Sequence, residues 1–175
     1  ESRKVRTMSK TSDLWLWLTV AIAVLLAIAA GCGVLVTGLY RDAPDLVAGA
    51  IGQDVITLFI GIPALVLSGY LASRGSQRAR LIWLGVLTYV VYTYAIYAFG
   101  IRFNVLFLIY TALLGCSTYT LIGGLVTTDW GVVREHFTER TPVRTVSIYL
   151  ALIAALFCLP WLSETIPASL SGIPP

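Results

Sequence analysis

The chain has 175 residues, of which 58% are hydrophobic and 12% charged, whereas a soluble domain carries about 25% charged residues. A chain this short cannot hide so much apolar surface from water, so its solvent is expected to be lipid. The formal net charge of +3 is too small to suggest nucleic acid, and the aromatic residues interleave with apolar ones rather than with Lys and Arg, so no basic nucleic-acid surface is expected.

Residues 1–13 (ESRKVRTMSKTSD) are polar and basic, with Ser12 or Asp13 placed to cap a first helix. A first span is predicted over 14–39, a run without charge that exceeds the roughly 20 residues a membrane helix needs. Trp15, Trp17 and Tyr40 mark its ends as an aromatic belt does, and Gly31 and Gly33 allow a neighbouring helix to approach. The run is too long, and lacks the small-residue cleavage site, for a signal peptide, so it reads as a retained anchor. After a polar loop with Pro44, a second span is predicted over 46–73. Its length of about 42 Å exceeds the roughly 30 Å hydrocarbon core, and Pro63, near Gly61, is expected to kink it.

A short loop carrying Arg74, Arg78 and Arg80 leads to a third span over 81–99. A tight turn at 100–102 then gives a fourth, antiparallel span over 103–126. In the long loop 127–144, Trp130, Val133 and Phe137 have the spacing of a short interfacial helix, with a plain solvated loop as the alternative. A fifth span is predicted over 146–162, followed by a Pro/Gly/Ser-rich tail over 163–175 that is expected to be irregular. The fold class is therefore an all-α, polytopic membrane helix bundle with five transmembrane helices occupying 14–162.

Orientation follows from the basic residues. With the N-terminus inside, ten of the twelve Lys and Arg lie in inside segments, and only Arg41 and Arg102 lie outside. The positive-inside rule then puts the N-terminus inside and the C-terminus outside, in a bacterial inner membrane.

Several chemistries lack their residues. His136 is the only histidine, which excludes a bis-histidine haem and a histidine-rich metal site. Lys4 and Lys10 are the only lysines and both precede the first span, so no Schiff-base site exists in the bundle; no P-loop is present. Cys32, Cys116 and Cys158 lie in apolar runs and read as small hydrophobes. No nucleophile–base pair stands out. No catalytic residue, metal ligand set or cofactor is predicted, and an enzyme is the less favoured class.

Asp54 is the exception to this plainness. It lies inside an apolar segment, where ionisable groups are rare and are functional-site hypotheses by default. Counted from Ala72, it stands about 27 Å up the helix, just beneath the outer headgroups. Gln53, Thr93, Tyr97, Arg102 and Asn104 fall at the same level, and together with Asp54 they form the candidate ligand site. At about 100° per residue, Asp54, Thr57, Gly61, Leu65, Ser68 and Ala72 share one face. Gly85, Tyr89, Tyr92, Thr93, Tyr97 and Gly100 form a second stripe, and Asn104, Thr111, Gly115 and Thr118 a third. The tyrosine run Tyr89, Tyr92, Tyr94, Tyr97 reads mainly as packing. Arg74, Arg78 and Arg80 read as topology determinants that also suit anionic lipid headgroups.

The block 51–120, through its Gln53-Asp54 pair, its Arg74-Gly75-Ser76 turn and its tyrosine-rich run, resembles multi-pass membrane proteins of bacteria whose function is unknown. The resemblance implies a longer, seven-span parent of which this chain is a truncated form. It implies no activity, cofactor or catalytic residue.

The expected function is binding, or movement, of a small solute, ion or lipid at the Asp54 site within the lipid bilayer. A non-catalytic subunit or scaffold, with Asp54 and Arg102 as a structural ion pair and a membrane-protein partner or second copy, is the first alternative. A membrane enzyme acting on lipid or quinone is the second.

Overall fold

The computed structural model describes residues 2–135 and 142–171, with side chains from Leu14 onward. All regular structure among them is helical: α1 (Ser2–Leu35), α2 (Pro44–Ile56), a π-helical turn (Thr57–Gly61), α3 (Ile62–Ser73), α4 (Gln77–Phe99), α5 (Phe107–Val126), α6 (Trp130–Glu135) and α7 (Val143–Ser171). Five stretches are long and apolar enough to cross a membrane: Leu14–Leu35, Pro44–Ser73, Gln77–Phe99, Phe107–Val126 and Val143–Ser171.

The chain forms two units, Glu1–Thr128 and Asp129–Pro175. In the first, α4 packs against α3 and α5, and α1 packs against α2, α3 and α5. The core is built from Ile22, Leu26 and Ala29 of α1, Leu65 of α3, Leu84, Leu87 and Val90 of α4, and Leu113 of α5. Lipid tails are as apolar as leucine, so helices in lipid associate through close packing and interhelical hydrogen bonds rather than through the hydrophobic effect. Both are present. A Cβ on Gly69 would press on Thr19 and Trp83, and one on Gly124 on Trp83 and Leu84, while Trp83 Nε1 donates across the helices to Thr19 Oγ1 at 3.0 Å.

Several boundaries differ from the expectations. Helical backbone runs through Ser12 and Asp13, so neither caps α1. At its other end α1 stops at Leu35, because the apolar run continues into a turn where Gly38 takes φ +80°, a conformation open chiefly to glycine. The second span begins at Pro44 and is broken by the π-helical turn immediately before Pro63. There the Ile62 N–H reaches back to the Thr57 carbonyl, five residues away. α4 starts four residues earlier than expected, with Ser76 accepting from the Ala79 N–H as its N-cap. The turn after α4 is longer than 100–102, since α5 begins only at Phe107 and Asn104 precedes it.

The second unit holds α6 and α7. α6 covers part of the expected interfacial helix; Phe137 and His136 lie outside the described residues. α7 continues through Pro160 and Pro167 to Ser171, so the expected irregular tail is helical as far as the described residues extend. No described residue of α7 is buried. Cys32, Cys116 and Cys158 are free thiols.

Candidate functional site

The site is assembled where the 36–43 turn folds back against α2 and α4. Asp54, near the end of α2, is 1% exposed. Tyr40, from the turn, donates to Asp54 Oδ2 at 2.5 Å. The Tyr97 hydroxyl, from α4, lies 3.1 Å from Asp54 Oδ1 and 3.0 Å from the Ala50 carbonyl. A phenol has one proton, so Tyr97 can serve either acceptor. Gly33 of α1 makes the cluster possible: a Cβ there would overlap the Asp54 carboxylate and lie 2.6 Å from the Tyr40 hydroxyl.

A tyrosine shell surrounds the carboxylate. Tyr97 meets Tyr40 and Tyr110 edge-on, with ring centroids 6.1 and 5.2 Å apart, the arrangement that aromatic quadrupoles favour. Tyr94 packs on Tyr97 and Tyr110 at 5.4 and 5.9 Å. The Tyr94 hydroxyl is buried without a hydrogen-bond partner among the described residues. Burial and the Asp54 hydrogen bond hold the Tyr40 phenol well above its ordinary pKa, so Tyr40 acts as a donor and not as a phenolate. A second polar layer lies one turn along. Gln53 Nε2 donates to the Tyr89 hydroxyl, which lies 2.8 Å from Thr57 Oγ1, and Thr57 Oγ1 donates to the Gln53 carbonyl at 2.9 Å.

A cleft of about 270 Å³ opens beside this cluster, walled by Tyr40, Tyr92 and Tyr97 and carrying Gln53, Asp42 and Asp45. Among the described residues no lysine or arginine lines it. Asp42 Oδ1 accepts from the Arg102 N–H at 3.2 Å, while its Oδ2 has no partner. Tyr40 and Tyr97 therefore stand with one side towards the cleft and their hydroxyls on Asp54.

The sequence-predicted residues separate as follows. Gln53, Asp54 and Tyr97 take part in the polar network, and Thr93, buried in α4, lines the cleft. Asn104 stands at the edge of the tyrosine shell, its Oδ1 accepting from the Leu106 N–H. The Arg102 side chain is exposed, and its backbone N–H donates to Asp42. Asp54 is thus hydrogen-bonded by tyrosines, and no Asp54–Arg102 ion pair forms among the described residues. On α5 the stripe expected to face inward turns outward: Thr111 and Gly115 are exposed, and the buried face is Tyr110, Leu113, Ser117, Thr120 and Gly124. Thr111 bonds its own helix at Phe107, which satisfies the proton of an outward-facing hydroxyl. Arg74 stacks over Tyr70 at 5.0 Å, Arg78 is exposed, and Arg80 is half-buried.

Tyr40, Tyr94, Tyr110 and Gly33 were not among the expected site residues. Tyr94 and Tyr97 are three apart, the one signal in the sequence that both reach the same face. Comparison of the chain with protein-family models, with curated proteins and with solved structures finds no match among any of the three.

Proposed function

We propose that the chain is an integral protein of the bacterial inner membrane, N-terminus inside and C-terminus outside, that binds a small cation in the tyrosine-walled cleft and exchanges a proton at Asp54. The observation carrying this reading is the buried Asp54 carboxylate, partnered by phenolic hydroxyls and, among the described residues, by no basic one. A buried carboxylate kept without a counter-charge among the described residues is expected to meet its cation from outside the chain.

Two features support the exchange. An ionised Asp54 takes the Tyr97 proton on Oδ1. A protonated Asp54 donates from Oδ1 to Tyr97, and Tyr97 turns its own proton to the Ala50 carbonyl. Both states are fully hydrogen-bonded with the same heavy-atom positions. The cleft itself offers aromatic faces and the Asp42 and Asp45 carboxylates, a combination that attracts cations. π-helical turns also occur often at functional sites, and one begins three residues after Asp54.

The test is Asp54→Asn. The variant is expected to fold in normal yield and to lose saturable binding of tetramethylammonium and sodium. Saturable binding of tetramethylammonium and sodium kept unchanged in a folded Asp54→Asn variant would overturn this reading.

A further inference from the structure

At the end of the first unit remote from Asp54, a second cavity of about 330 Å³ lies between α1, α3 and α4, lined by Trp15, Thr19, Gln77, Arg80, Trp83 and Thr127 among others. Its chemistry is opposite to that of the cleft. Among the described residues no carboxylate lines it, and Arg80 is the only charged one that does. The Arg80 guanidinium is fixed from behind: Nε donates to Thr128 Oγ1 at 2.9 Å and Nη2 to Thr127 Oγ1 at 2.7 Å. Both threonines pass their own protons to helix carbonyls, at Gly124 and Gly123. Arginine carries five N–H donors, so three remain unclaimed among the described residues. Half-burial of a cation that has only neutral partners is costly unless an anion completes the site.

Two further groups ask for a partner. The indole N–H of Trp15 and the amide oxygen of Gln77 are both buried without one. The start of α4 borders the same cavity through Gly75 and Gln77, and the first amides of a 23-residue helix favour negative charge. Arg74 and Arg78 stand exposed beside it.

We infer that this cavity binds a phosphate ester whose alcohol bears a hydroxyl, the chemistry shared by a phosphatidylglycerol headgroup and free glycerol phosphate. Arg80 and the Trp15 N–H hold the phosphate oxygens, and the Gln77 amide oxygen accepts from the alcohol hydroxyl. Basic cavities between membrane helices are known as headgroup sites. The inference is independent of the reading of Asp54.

The full chain is placed in nanodiscs of phosphatidylcholine alone or with phosphatidylglycerol, and its thermal unfolding is compared; in detergent, glycerol 3-phosphate is titrated against tryptophan fluorescence, because Trp15 and Trp83 line the cavity. A Tm raised by phosphatidylglycerol, in the wild type and in Arg78→Gln but not in Arg80→Gln, identifies the lipid as source. Saturable quenching by glycerol 3-phosphate without a lipid effect identifies the free ester. Affinity should fall about tenfold or more in Arg80→Gln. Trp15→Phe, which keeps the ring but lacks the N–H, should also weaken binding and tests the site if Arg80→Gln does not fold. Equal responses in wild type, Arg80→Gln and Trp15→Phe, or no response to either ester, overturn the inference.

Discussion

Two phenolic hydroxyls meet the Asp54 carboxylate, Tyr40 on Oδ2 and Tyr97 on Oδ1, and Gly33 leaves the space in which they do so. Each contact has a separable consequence. Tyr97→Phe leaves a buried carboxylate oxygen without its hydroxyl partner and should destabilise the protein by about 1–3 kcal/mol, read from unfolding titrations in mixed micelles. Gly33→Ala forces a methyl into the carboxylate and should cost a similar 1–3 kcal/mol. Gly31→Ala, two residues away with nothing within 4 Å of the new methyl, is the matched control. It should be neutral or slightly stabilising, since alanine is the better helix former. Equal losses at the two glycines would show that the close approach at Gly33 does not matter.

At the scale of the element, the second span is the informative one. Proline lacks an N–H and its ring presses on the carbonyl four residues before it; for Pro63 that residue is Phe59. The π-helical turn Thr57–Gly61 widens the helix at this place, one of the recognised ways a helix absorbs such a residue. The extra residue in the turn also sets the phase between Asp54 above it and Leu65 and Ser68 below it, all of which are buried. Pro63→Ala should therefore keep helix content by circular dichroism while weakening tetramethylammonium binding, because the turn can relax to α-helical spacing and rotate Asp54 relative to Tyr97. Unchanged binding would mean that α1 and α4 alone fix Asp54. The sequence already carried the cause, Pro63 near Gly61, but pointed to a kink; whether a helix bends or widens depends on what packs against it. The ends of elements were similarly hard to read. The Pro/Gly/Ser-rich composition of 163–175 suggested an irregular tail, yet α7 runs through Pro160 and Pro167 to Ser171.

The whole molecule was legible where one physical quantity dominates. Hydropathy alone marks five candidate spans, because apolar runs of this length have few other uses. Asp54 stood out for the same reason, as a charge against an apolar background. Its partners did not. Tyrosine has an apolar body and a polar tip, so Tyr40 at a helix end fits an aromatic belt as well as it fits a carboxylate, and Tyr94 and Tyr110 fit a core as well as a site. The outward turn of Thr111 and Gly115 has the same origin: α5 carries two stripes of small and polar residues, and spacing cannot choose between them. Membrane orientation, with the arginine-rich turn at 74–80 inside, is tested by replacing the native cysteines and placing single ones at Ser76 and Ala43. Ala43→Cys should label in intact cells and Ser76→Cys only after permeabilisation; the reverse pattern would invert the topology.

The proposal that Asp54 exchanges a proton for a cation is tested most directly by the pH dependence of tetramethylammonium binding to the lipid-reconstituted chain. The ionised Asp54 carboxylate favours a cation in the adjoining cleft and its protonation removes that attraction, so binding should tighten as pH rises and weaken as it falls. Asp54→Asn should abolish binding, or leave any remainder independent of pH. Binding that keeps the same affinity and the same pH dependence in Asp54→Asn as in the wild type would contradict the account.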